Sequence, residues 1–168
     1  MTTTVLRRRA SALAPVSRSA RWIGAALSLA VLFALAAPLS AQNVRLQGLG
    51  GEQLAESDLA RGTTIVIVWA SWSPRSRDIV ARVNPVAQRW GGRARVVTVN
   101  FQEERGAVES FLSGKSLGAA TFLDPDGAFS KKYAMATLPG LLIIKDGQVV
   151  YRGKLPDDPD RVIGEFLG

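Results

Sequence analysis

The chain has 168 residues, of which 47% are hydrophobic, 21% charged and 7% aromatic, and it contains neither cysteine nor histidine. One domain of ordinary globular composition fits that length. Without cysteine there is no disulfide, thiolate nucleophile, Cys-ligated zinc, iron–sulfur cluster, covalently attached haem or lipid anchor on cysteine. Without histidine the usual general base of Ser and Cys hydrolases and the commonest transition-metal ligand are also missing.

The formal charge of +7 is unevenly spread. Arg7, Arg8, Arg9, Arg18 and Arg21 supply five of the 21 basic residues, and no acid precedes Glu52. Residues 42–168 therefore carry 16 basic against 14 acidic residues. Nucleic-acid binding needs a basic face on the folded domain, so no nucleic-acid partner is expected.

The first 41 residues read as an Arg-bearing stretch to Arg21, an apolar run from Ile23 to Ala37, and the segment Pro38-Leu39-Ser40-Ala41. This is the pattern of a secretory signal peptide, with cleavage expected after Ala41. The apolar run is shorter than the roughly 20 residues of a spanning helix. Extended from Trp22 to Ala41 it reaches that length, and the alternative is an uncleaved N-terminal anchor that would put the protein at a membrane. In both cases residues 42–168 form the domain, and it lies outside the cytoplasm, periplasmic or secreted.

Within the domain, Thr63 to Ala70 is a continuous β-branched and apolar run, which predicts a strand buried on both faces. Ser71-Trp72-Ser73-Pro74 follows. Ile79, Val80, Val83, Val86, Ala87 and Trp90 then fall at helical spacing, with Pro74 suited to the helix's first turn, Asn84-Pro85 to a kink and Gly91-Gly92 to the stop. A second strand from Val96 to Phe101 leads into a short amphipathic helix carrying Ala107, Val108, Phe111 and Leu112, so the two strands are parallel with a right-handed crossover. After the Asp124-Pro125-Asp126-Gly127 turn comes a short helix from Phe129 to Tyr133. Strands Leu141 to Lys145 and Gln148 to Arg152 are joined by Asp146-Gly147, a two-residue hairpin signal. Asp158 and Pro159 serve as N-cap and first residue of a last helix bearing Val162, Ile163, Phe166 and Leu167.

This order of elements, together with Gly51, Ser57-Asp58-Leu59 and Trp69-Ala70-Ser71-Trp72-Ser73-Pro74-Arg75-Ser76-Arg77, resembles the thioredoxin-like fold and within it the extracytoplasmic TlpA/ResA type of thiol-disulfide oxidoreductase. That family reads W-A-x-W-C-x-x-C-R at the motif. Phe122 to Gly127, Tyr133, Leu138-Pro139 and Ile143 to Gly147 match its second half, in which the proline is cis. The likeness runs from about Leu46 to Leu167. It implies an α/β three-layer sandwich, a central mixed sheet flanked by helices.

Both cysteine positions are serine, Ser73 and Ser76. A serine hydroxyl has no accessible two-electron couple, so dithiol–disulfide exchange is excluded by composition. The acid that many relatives carry three positions after the second cysteine is Ile79 here, with Asp78 adjacent, and the Gly and Thr flanking the family's cis-proline segment become Thr137 and Gly140.

Serine-based chemistry has little support, because no Ser stands three residues before any Lys. Gly114-Lys115-Ser116 is similar to the end of a phosphate-binding loop, but Glu109 occupies the position of its first glycine and a helix precedes it. Its plainer reading is a turn with a solvated lysine. Asp157, Asp158 and Asp160 are accounted for by helix capping rather than a metal, and no cofactor or metal is expected.

What the resemblance leaves is a groove between the motif loop and the proline loop, lined by Trp72, Ser73, Pro74, Arg75, Leu138 and Pro139. An extended segment can pair there with the backbone without any sulfur. Arg75 and Arg77, placed in the first turn of a helix, are set to capture an acidic peptide or anion; the plainer reading is two solvated arginines on a decayed site. The expected partner is an extended peptide or envelope protein. Lys154 is expected to be remote from the groove. The domain is read as a redox-inactive binding or scaffold module, with the alternative of a non-catalytic subunit beside a dithiol enzyme in cytochrome c maturation or envelope disulfide handling.

Overall fold

The computed structural model describes residues 43–168, and the expected signal peptide or anchor, with the cleavage expected after Ala41, lies outside the described residues. In chain order the elements are β1 (Arg45–Gly48), β2 (Gln53–Ala55), α1 (Glu56–Leu59), β3 (Thr63–Trp69), a 3₁₀ turn (Pro74–Ser76), α2 (Ile79–Trp90), β4 (Arg95–Phe101) and α3 (Arg105–Leu112). They continue with β5 (Ala120–Asp124), α4 (Ala128–Lys132), β6 (Gly140–Lys145), β7 (Gln148–Lys154) and α5 (Pro159–Leu167).

The strands form one sheet in the order β2-β1-β5-β4-β3-β6-β7. β3, β4 and β5 are mutually parallel, whereas β6 runs antiparallel to β3, and β7, β1 and β2 continue the antiparallel pairing at the two sides. The fold is α/β, a mixed sheet with helices on both faces.

β3 lies near the middle of this sheet because both of its side-chain parities are apolar. Ile65, Ile67 and Trp69 pack with Ile79, Val83 and Val86 of α2 and with Val162 and Ile163 of α5. Val66 and Val68 point the other way and pack with Leu59 of α1 and Phe129 of α4. A strand covered on both faces needs no polar alternation. Trp90 closes the first layer: its indole N–H donates to Asp160 Oδ1 at 2.7 Å, tying the end of α2 to the start of α5.

Several expectations need adjustment. β1, β2, α1 and β5 were not foreseen as elements. β1 and β2 contain four and three residues, and they persist because each pairs with a neighbour. β5 is buried from Thr121 to Asp124, and the adjacent turn residues masked it in the sequence. Pro74 does not open the long helix: it starts a separate 3₁₀ turn, and α2 begins at Ile79. Arg75 and Arg77 therefore do not occupy the first turn of an α-helix, where they were expected. Pro85 is accommodated inside α2, which stays one helix.

Candidate functional site

The site begins where β3 ends. Its apolar residues stop at Ala70, and Ser71-Trp72-Ser73 carries the chain over the edge of the sheet into the 3₁₀ turn. That turn is closed by backbone bonds, Ser73 N–H to Ala70 O at 3.2 Å and Ser76 N–H to Ser73 O at 2.9 Å. Proline at its first position fixes φ and gives up an N–H that the turn does not use.

Ser73 is buried, and its Oγ lies 3.5 Å from the carbonyl oxygen of Leu138, at the outer limit of a hydrogen bond. This contact brings the motif and the proline loop together across 65 positions of sequence. The Leu138–Pro139 peptide bond is cis. Pro139 O accepts the N–H of Leu155, which fastens the loop to the residue that follows β7. Gly140 has no room for a side chain there: a Cβ would stand 2.6 Å from Met135 Cε and 2.8 Å from Thr137 O.

Ser76 is fully buried, and its hydroxyl finds no hydrogen-bond partner among the described residues. A thiol tolerates such surroundings, being a weak donor that behaves as a small hydrophobe, whereas a hydroxyl loses its hydration without compensation. Trp72 is the opposite case, 58% exposed, with its ring 6.5 Å from that of Phe101.

Leu138, Pro139 and Arg75 line a shallow cavity of about 300 Å³ together with Arg82, Lys154 and Asp157. Lys154 is therefore part of the groove's wall and not the remote position expected. Arg82 is engaged with the carbonyl oxygens of Leu155 and Pro156 at 2.9 and 3.0 Å and stands 3.7 Å from Asp157. Asp78 also reaches this cavity. Its wall thus carries both signs of charge, with Arg75 and Lys154 as the cations for which no carboxylate lies within salt-bridge distance among the described residues. Trp72, Ser73 and Pro74 are not among that cavity's lining. The structure joins Ser73 to Leu138 and Arg75 to Leu138 and Pro139, with Trp72 on the side of Phe101.

Sequence reasoning missed the group that holds the motif loop. The Glu103 carboxylate accepts the Ser71 N–H at 2.6 Å, the Ser71 hydroxyl, and the Asn100 side-chain amide at 2.7 Å. Three donors on one carboxylate clamp the end of β3 to the end of β4. Gln102, at φ 53°, supplies the turn that makes this possible. The available signal was Asn100, a polar residue in the otherwise apolar and β-branched run Val96–Phe101, followed by Glu103.

The other motifs resolve into local structure. Gly114 adopts φ +70° after α3, and Lys115 Nζ donates to Phe111 O, so Gly114-Lys115-Ser116 is a helix terminus. Asp158 accepts the N–H of Arg161 at 3.2 Å as an N-cap, while Asp160 is occupied by Trp90 and by Arg89 at 3.4 Å.

A protein-family model described as the AhpC/TSA family matches residues 39–152. Among solved structures, the chain is similar to the pneumococcal exposed lipoprotein thioredoxin from Streptococcus pneumoniae, at 19% identity over 73% of this chain and 96% of that one, with a TM-score of 0.63. It is similar to a secreted Mycobacterium tuberculosis disulfide oxidoreductase, at 19% identity over 75% and 96%, with a TM-score of 0.61. StoA from Bacillus subtilis matches at 20% identity over 74% and 96%, also with a TM-score of 0.61. At these identities the likeness establishes the thioredoxin-like fold.

Proposed function

The chain belongs to the AhpC/TSA family, and we propose that its thioredoxin-like domain acts outside the cytoplasm as a redox-inactive module that binds an extended polypeptide segment. The observation that carries this reading is the contact of Ser73 with Leu138: the two loops of the groove still meet although neither motif position holds sulfur. Serine at both positions removes the thiolate that exchange chemistry requires. A cleft with an exposed aromatic at one side and unpaired cations at the other retains the means to hold a peptide through backbone pairing, an apolar contact and charge. Its extracytoplasmic placement rests on the signal-peptide pattern of residues 1–41 and on neighbours described as secreted or as an exposed lipoprotein.

Capture of the partner from an envelope fraction, followed by calorimetry on variants, tests the reading. Arg75→Glu is expected to weaken the partner by about 1–3 kcal/mol, the range of charge-assisted hydrogen bonds, and Leu138→Asp to weaken it comparably. Lys115→Ala, on the terminus of α3, leaves affinity unchanged. Equal affinity for all three would move the function away from this groove. A second reading, a non-catalytic subunit working beside a dithiol enzyme, is favoured by neighbours described as disulfide oxidoreductases, and it calls for a captured partner that itself carries a C-x-x-C motif.

A further inference from the structure

At the other end of the parallel strands, roughly 20 Å of strand away from the motif, lies a second cavity of about 400 Å³. Its walls come from two stretches of the chain: one carries Arg61 before β3, and the other carries Arg93 after α2 and Arg95 at the start of β4. None of these guanidinium groups has a carboxylate within salt-bridge distance among the described residues. Asp58 is the one acid on the wall, and its carboxylate accepts the Ala55 N–H at 2.8 Å.

Two of the arginines are held in place without being neutralised. Arg93 lies over the Trp90 ring at 5.4 Å and donates to the Leu167 carbonyl oxygen. Arg95 lies over the Phe122 ring at 6.0 Å. Stacking and a neutral acceptor restrict the side chain while leaving its positive charge and most of its five donors available. Two guanidinium groups held in this way, with Arg61 on the same wall, against one engaged carboxylate exceed what a single carboxylate ligand can satisfy. They match an anion with several oxygens and more than one charge, the case in which arginine's planar fork is most effective.

We propose that this cavity binds a phosphate-bearing anion, independently of the groove at the motif. The same chemistry is offered by a free phosphorylated small molecule and by a phospholipid headgroup, and the experiment separates these sources. Calorimetry of the wild-type protein is run with inorganic pyrophosphate, with citrate, and with vesicles of phosphatidylglycerol or of phosphatidylcholine. The measurements are repeated on Arg61→Gln plus Arg95→Gln, which leaves Arg93 in its packing on Trp90, and on Arg75→Gln in the groove. Circular dichroism confirms that each variant is folded.

Pyrophosphate binding that weakens about tenfold or more in the double variant but persists in Arg75→Gln supports the site with a free anion as ligand. Binding to phosphatidylglycerol vesicles alone, lost in the same double variant, supports it with a headgroup as ligand. Binding to neither probe, binding unchanged in the double variant, or citrate bound as tightly as pyrophosphate would overturn the proposal.

Discussion

Ser76 shows what replacing a thiol by a hydroxyl costs at an otherwise retained position. The residue is fully buried and its Oγ is unpartnered among the described residues, and an unsatisfied buried hydroxyl costs on the order of 1–3 kcal/mol. Ser76→Ala removes the orphaned group and leaves a void of only one oxygen atom. The variant is expected to be about 1 kcal/mol more stable than wild type, read as a higher denaturant midpoint at unchanged m-value. A less stable variant would mean that the hydroxyl has a partner after all. Tyr133 gives a pH-dependent counterpart. Burial, and then the Glu56 carboxylate beside it, raises its phenol pKa above the ordinary value of 10.0. The unfolded chain ionises first, so this contribution to stability is whole at neutral pH and is lost as pH rises through the unfolded and then the folded pKa. Denaturation midpoints measured across the alkaline range should fall less steeply in Tyr133→Phe than in wild type; parallel curves would show that Tyr133 plays no part.

At the scale of elements, the turn at Pro74–Ser76 makes a prediction of its own. Ser73 and Ser76 are linked through the bond from Ser76 N–H to Ser73 O, and both are buried at the end of β3. Combining Ser73→Cys with Ser76→Cys should give a pair that closes an intramolecular disulfide under mild oxidant, detectable as loss of two free thiols without dimer formation. Thiols that stay reduced, or that pair only between molecules, would contradict the placement of the motif. The elements that were readable from sequence are those whose information is local. β3 announces itself by an unbroken β-branched run, and the hairpin of β6 and β7 by Asp146 and Gly147, which take φ 49° and 79° as a two-residue turn requires. β1 and β2 were not readable, since strands of four and three residues are too short to show a pattern and persist through pairing, β2 with β1 and β1 with the distant β5. The Glu103 clamp was hidden for the same reason, because it joins residues 32 positions apart.

Taken as a whole molecule, the domain separates its two surfaces of interest along the sheet. The groove lies past the C-terminal ends of β3 and β4, and the arginine-lined cavity lies at their N-terminal ends. The small surplus of positive charge in residues 42–168 conceals this arrangement, since a near-neutral total says nothing about where unpaired cations gather. The resemblance carried the fold across nearly the full domain, while serine at positions 73 and 76 leaves no thiol for dithiol–disulfide exchange. The binding proposed for the groove is therefore tested through contacts rather than through turnover.

The most direct test of the central claim is site-specific photo-crosslinking in the envelope fraction, with p-benzoylphenylalanine placed at position 72, where an exposed aromatic already stands, and at position 115 as a reference. A polypeptide adduct formed from position 72 and absent from position 115 is the result that a working peptide groove predicts. A partner that is still captured by the protein but crosslinks from position 115 and not from position 72 would contradict it.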